Sequence, residues 1–214
     1  MYQNILFDLD GTLTDPKVGI INSIKYALSK LGITQYDEGK LLDFIGPPLQ
    51  DSFATIFNMD KEQSDLAISY YREYFKEKGL FENVVYDGIP EVLKALKQEG
   101  KELFVATSKP TLFAETILKH FELDSYFTAI VGSNLDGTRI LKYEIIDNII
   151  RENSITNLHE TIMIGDRKHD IIGAQSAEIS SIGVTWGYGS GEELNNIKPN
   201  LIINTPDQLL PIMK

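Results

Sequence analysis

Three short runs of consecutive apolar residues stop abruptly at polar ones. Ile5-Leu6-Phe7 ends at Asp8, Leu103-Phe104-Val105-Ala106 at Thr107-Ser108, and Ile162-Met163-Ile164 at Gly165-Asp166. Ala129-Ile130-Val131 and Ser181-Ile182-Gly183-Val184-Thr185 read as two further strands. Unbroken apolar runs of this length suit strands buried on both faces, as in a parallel sheet covered by helices. Between the runs, apolar positions take a helical spacing. Val92, Leu93 and Leu96 mark one helix, Leu112, Phe113, Thr116, Ile117 and Phe121 the next, and Ile145, Ile146, Ile149 and Ile150 a third. Strands alternating with helices predict an α/β fold with a doubly wound, Rossmann-like parallel-sheet core.

The stretch from about Pro16 to Glu82 has a different rhythm. Ile20, Ile21, Ile24, Ala27, Leu28 and Leu31 repeat at helical spacing, with Asp15-Pro16 as N-cap and first turn and Gly32 as the stop. Leu66, Tyr70, Tyr71, Tyr74 and Phe75 give a second long amphipathic helix, and no strand is read between the two. The division expected is therefore an α/β core from residues 1–15 and 83–214, with residues 16–82 inserted as an all-helical cap over the sheet's carboxyl edge.

Composition narrows the function classes. The 214 residues include no cysteine, which excludes disulfides, thiolate metal sites and a cysteine nucleophile. The formal net charge of −11 argues against nucleic acid as a partner, since counterion displacement needs a basic surface. No apolar run approaches the roughly 18 residues of a membrane span. The N-terminus has no signal-peptide pattern. A cytoplasmic protein is expected, with no membrane partner; oligomeric state is not legible.

The chemistry lies where the apolar runs end. In an open parallel sheet the active crevice forms beyond the carboxyl ends of the strands. The first run delivers Asp8-Leu9-Asp10-Gly11-Thr12-Leu13, in which residues two apart in an extended segment share a face, so both carboxylates would meet one pocket. The second run delivers Thr107-Ser108-Lys109, hydroxyls and a cation. The third delivers Gly165-Asp166-Arg167-Lys168-His169-Asp170, two acids four apart at a strand-to-helix turn, and Lys142 opens the helix before it.

Together the DxDGT-L signature at 8–13, Thr107-Ser108, Lys142 and the GDxxxD pattern at 165–170 resemble the four motifs of the haloacid dehalogenase-like hydrolases. Order and spacing match along almost the whole chain, and the helical insert is similar to the cap of the phosphoglycolate phosphatase-like branch. Tyr143 stands where many relatives have proline. The resemblance implies a phosphatase for a small phosphorylated metabolite: a phosphoglycolate-like acid, a nucleoside monophosphate or a sugar phosphate.

A carboxylate approaching a phosphate dianion meets roughly 8 kcal/mol of repulsion at about 4 Å, with an effective dielectric near 20. A divalent cation removes much of that, and Mg2+ favours oxygen ligands, few of them carboxylates. Asp8 and Asp166 are the expected carboxylate ligands; the resemblance adds the backbone carbonyl of Asp10, and Asp170 would hold a coordinated water or orient a ligand. Asp8 is the expected nucleophile and Asp10 the general acid and base. Thr107, the Ser108 amide and Lys142 are expected to bind phosphoryl oxygens, with Lys109 a rival for the lysine role.

Other features invite blander readings. His169 and Arg167 read as exposed helix residues. Gly187-Tyr188-Gly189-Ser190-Gly191 lacks the P-loop lysine and the dinucleotide spacing, and reads as a flexible loop. Two other activities share this residue set: a sugar phosphomutase of the same superfamily, and a phospho-acceptor signalling domain, which would have no use for the acid at Asp10.

Overall fold

The computed structural model describes residues 1–213. The chain divides into two compact units, one formed by Met1–Asp15 with the chain from Val85 onward, the other by Pro16–Val84. The strands of the larger unit's main sheet are β1 (Asn4–Phe7), β2 (Glu102–Pro110), β3 (Ala129–Ser133), β4 (Thr161–Gly165), β5 (Ser180–Val184) and β6 (Leu201–Ile203). The helices, in chain order, are α1 (Lys17–Lys30), α2 (Leu49–Phe57), α3 (Lys61–Tyr74), α4 (Ile89–Gln98), α5 (Thr111–His120), α6 (Lys142–Glu152), α7 (Lys168–Ser176), α8 (Gly191–Ile197) and α9 (Leu209–Met213). No helix among the described residues is long and apolar enough to cross a membrane.

The six strands form one sheet in the order β3-β2-β1-β4-β5-β6, every pairing parallel. This is the doubly wound α/β arrangement. The strand order reverses between β1 and β4, so the crevice expected of such a sheet opens beyond their carboxyl ends. In β1, Ile5, Leu6 and Phe7 are fully buried, as the unbroken apolar run requires. Successive side chains take opposite faces. Leu6, Phe104, Ala106 and Met163 pack with Ile145, Ile146 and Ile149 of α6 and Ala174 of α7. Each of the leucine, isoleucine, phenylalanine and methionine side chains contributes about 1.5–3 kcal/mol of transfer free energy. The core therefore fixes β1 and β4 side by side, with Asn4 to Phe7 in register with Thr161 to Ile164.

The smaller unit is helical. The α1 helix buries Ile20, Ile24, Ala27 and Leu28, as its spacing predicts, and Gly32 ends it at φ +72°. Its N-cap is Pro16, with no side-chain cap bond. The preceding Asp15 accepts the Tyr188 hydroxyl at its Oδ1. In α3 the buried face is Ser64, Ala67 and Tyr71; Leu66 is exposed, one position off that stripe. Asp60 and Gln63 close a capping box that starts α3. Phe44 meets Phe53 edge-on with ring centroids 4.9 Å apart, an aromatic core for this unit.

Two further differences from the sequence reading concern strands. The β2 strand continues through Thr107 and Ser108 to Pro110, with its register to β3 shifting between Ala106 and Pro110. The β6 strand was not anticipated, since its three residues begin with the exposed Leu201.

Candidate active site

The acids converge where the topology directs them. Asp8 follows β1 directly, and its N–H donates to the Ile164 carbonyl at 2.9 Å, continuing the β1–β4 ladder by one residue. Asp166 follows β4, and Asp170 is the third residue of α7, where its Oδ2 accepts the Arg167 N–H at 3.0 Å. All three carboxylates are buried, and each offers an oxygen within 4.8 Å of the others. Gly11, at φ +83°, turns the chain after Asp10. A Cβ there would fall 2.3 Å from Asp166 Oδ2, so the residue is glycine for space as well as for conformation.

Two buried lysines answer these acids, each in a distinct place. Lys142 opens α6 and places its Nζ 2.9 Å from Asp8 Oδ1 and 2.7 Å from Asp170 Oδ1, while donating to the Ala106 carbonyl at 2.9 Å. Burial opposes its charge, but Asp170 and Asp8 outweigh that and hold the ammonium protonated above the usual lysine range. Lys109 instead lies 2.9 Å from Asp10 Oδ2. Lys142 thus serves the three-carboxylate cluster and Lys109 serves Asp10.

Asp10 is buried, yet its Oδ1 has no hydrogen-bond partner. Its pKa is raised: burial is the main cause and the charge of Asp8 adds to it, with Lys109 opposing. Asp166 lies well above the carboxylate range, through burial first and then the charges of Asp170 and Asp8. Asp170 is pushed up to about 6 by burial and Asp8, against the pull of Lys142.

Thr107 is buried one residue beyond the Ala106 carbonyl that anchors Lys142, and its Oγ1 accepts the Lys109 N–H at 3.3 Å. Ser108 is half-buried, and its carbonyl accepts the Ser133 hydroxyl at 2.8 Å. His169 is half-buried rather than exposed. Arg167 pairs with Glu193, 3.1 Å away.

The segment after β5 was the main omission of the sequence reading. It is packed against the acids, not loose. Trp186 Nε1 donates to the Thr12 carbonyl at 3.0 Å, and the Tyr188 N–H donates to Asp166 Oδ2 at 2.7 Å. A Cβ on Gly189 would sit 1.8 Å from the Asp166 carbonyl oxygen. Glycines at alternate positions are the sequence trace of such close approach. The partners lie far away in sequence, so the trace alone does not reveal them.

Three buried carboxyl groups, Asp8, Asp166 and Asp170, crowd together beside one buried ammonium, Lys142. This hard, all-oxygen donor set of Asp8, Asp166 and Asp170 could hold a divalent cation of the Mg2+ type.

The chain is similar to several known proteins. The family model described as haloacid dehalogenase-like hydrolase matches residues 5–184. A protein from Pseudomonas aeruginosa named 5'-nucleotidase is 48% identical over 198 residues, covering 92% of this chain and 89% of its own. A Mycobacterium tuberculosis protein named tyrosine-protein kinase PtkA is 33% identical, covering 97% of this chain and 71% of its own. The crystal structure of a predicted phosphatase from Clostridium acetobutylicum superposes with a TM-score of 0.94 at 51% identity, covering 98% of this chain and 96% of that one.

Proposed function

The chain belongs to the haloacid dehalogenase-like hydrolase family and is a phosphatase of it; from that premise we propose that it hydrolyses a small-metabolite phosphomonoester, with Mg2+, through an aspartyl phosphate on Asp8. The observation that carries this reading is the division of labour among buried groups. Asp8 shares Lys142 with Asp170, while Asp10 stands apart with Lys109 and keeps one oxygen unpartnered.

Asp8 attacks phosphorus as the ester P–O bond breaks. Asp10, whose burial favours the protonated acid, gives its proton to the departing alkoxide. As a carboxylate it then takes a proton from water attacking the acyl phosphate. The bond from phosphorus to Asp8 breaks, and inorganic phosphate leaves with Asp8 restored. Splitting the hydrolysis in this way replaces one difficult step with two easier ones. Asp8, Asp166 and Asp170 would hold the Mg2+, with the Asp10 carbonyl added by family resemblance. Bound there, the cation supplies charge neutralisation between carboxylate and phosphate. Thr107, the Ser108 amide and Lys142 are assigned to the phosphoryl oxygens.

The name of the P. aeruginosa relative puts nucleoside 5'-monophosphates first among the substrates, ahead of phosphoglycolate-like acids and sugar phosphates. The test is phosphate release from a panel of these esters, with Mg2+ and with chelator, for the native chain and Asp8→Asn. Mg2+-dependent release lost in Asp8→Asn is the expected result. No release from any ester would overturn the reading. Interconversion of sugar phosphates with a bisphosphate requirement would replace it with a mutase, and transfer from ATP to a tyrosine peptide with a kinase.

A further inference from the structure

Four successive residues after β5 each touch one of the two acidic motifs. Trp186 Nε1 donates to the Thr12 carbonyl, and a Cβ on Gly187 would lie 2.3 Å from the Gly11 carbonyl oxygen. The Tyr188 N–H holds Asp166 Oδ2, and Gly189 lies against the Asp166 carbonyl. At its outer end this strap is fastened by a side chain: the Tyr188 hydroxyl donates to Asp15 Oδ1. Burial first, and Asp15 next, push the Tyr188 phenol far above its ordinary range, so it remains a donor. The hydroxyl of Tyr86, one residue after the chain re-enters the larger unit, neighbours that of Tyr188.

Asp166 Oδ2 accepts the Tyr188 N–H at 2.7 Å, while Oδ1 accepts the Thr12 hydroxyl at the longer distance of 3.5 Å. The short bond to Tyr188 therefore sets how the carboxylate is turned. Gly187 and Gly189 hold the backbone against the acidic motifs by close packing. The Tyr188 side chain adds a second anchor at the outer end of the strap.

We propose that Tyr188 is a positioning residue for the metal site, its hydroxyl clasped to Asp15 so that its backbone N–H orients Asp166 toward the bound cation. The inference rests on the reading that Asp166 holds a divalent cation. Groups that orient a ligand from behind typically cost about 10–100-fold in metal affinity when removed.

The test is direct Mn2+ binding by electron paramagnetic resonance, on the native chain and on Tyr188→Phe, Asp15→Asn, the double variant and Asp166→Asn. Tyr188→Phe removes one hydroxyl and is expected to weaken Mn2+ about tenfold. Its deficit in turnover should shrink as Mg2+ is raised, and its metal-free melting temperature gives the purely structural cost. The double variant should lose no more affinity than Tyr188→Phe alone, because the two residues act through one bond. Native affinity in Tyr188→Phe, or additive losses in the double variant, would overturn the clasp while leaving the metal reading intact. Failure of the native chain to bind Mn2+, or native affinity in Asp166→Asn, would overturn both.

Discussion

Asp10 and Asp8 are two residues apart and equally out of reach of bulk water, yet their neighbours assign them different work. Lys142 lies against Asp8, the proposed nucleophile, with its ammonium 2.9 Å from Oδ1. Asp10 has burial and the charge of Asp8 raising its pKa, which favours a carboxylic acid able to donate. Replacing Asp10 with Asn removes the proton in flight and should lower turnover about 10²–10⁴-fold in steady-state assays, with Mn2+ binding retained. The metal-free cluster carries its own signature. Asp170 titrates near 6 in the folded chain against 3.8 unfolded, so the folded state holds the extra proton across that window. Its stabilising effect is complete below the unfolded value and is lost as pH rises through about 6. In chelator, the melting temperature should therefore fall from about pH 4 to a little above pH 6, with a shallower fall in Asp170→Asn; added Mg2+ should raise it most at the higher pH. An equal fall in Asp170→Asn would contradict this. The placement of the two acids at one strand end was legible in the sequence, since two acids two apart after an apolar run need no tertiary information. Which lysine serves which acid was not: Lys109 and Lys142 were rivals until the fold brought one to Asp10 and the other to Asp8.

At the scale of elements, the unbroken apolar runs identified β1, β2 and β4, because strands covered on both faces have no polar side to interrupt them. The same logic missed β6, a three-residue strand whose exposed Leu201 blurs the pattern. It also ended β2 too early: Thr107 is as buried as the apolar residues before it, so polarity there marks the site and not the end of the strand. The largest loss was the segment at 186–189, whose glycines read as freedom and prove to be close packing. Gly189→Ala would drive a methyl into the Asp166 carbonyl oxygen, 1.8 Å away, and is expected to cost about 1–3 kcal/mol in denaturant unfolding and to weaken Mn2+ binding. Gly191→Ala, with nothing within 4 Å, should change stability by less than about 0.5 kcal/mol. Equal effects from the two would refute the packing account.

For the whole molecule, the larger unit carries all the proposed catalytic and metal-binding residues, on a sheet whose switch point falls between β1 and β4. Its core is independent of the chemistry: Ile149→Ala in α6 should cost about 2–5 kcal/mol of stability while the acids keep their neighbours. The helical unit, Pro16–Val84, contributes none of those residues, and we assign substrate selection to it. Exchanging it for the corresponding insert of the P. aeruginosa relative should change the ranking of substrates in the phosphate-release panel while leaving the Mg2+ requirement in place. An unchanged ranking would return selectivity to the core. The existence of two units was legible from the change of rhythm at Pro16, because helical and strand periods differ; the residues that contact a substrate carry no such period.

The central claim is that Asp8 becomes phosphorylated during turnover. Acid-quenching the Asp10→Asn chain with Mg2+ and an aryl phosphate, whose leaving group departs without a proton, then mapping phosphate by peptide mass spectrometry, tests this most directly. The account predicts a hydroxylamine-labile phosphate on the peptide containing Asp8, accumulating because the water that should release it has lost its base. Phosphate on any other residue, or continued release with no labelled protein, would contradict it.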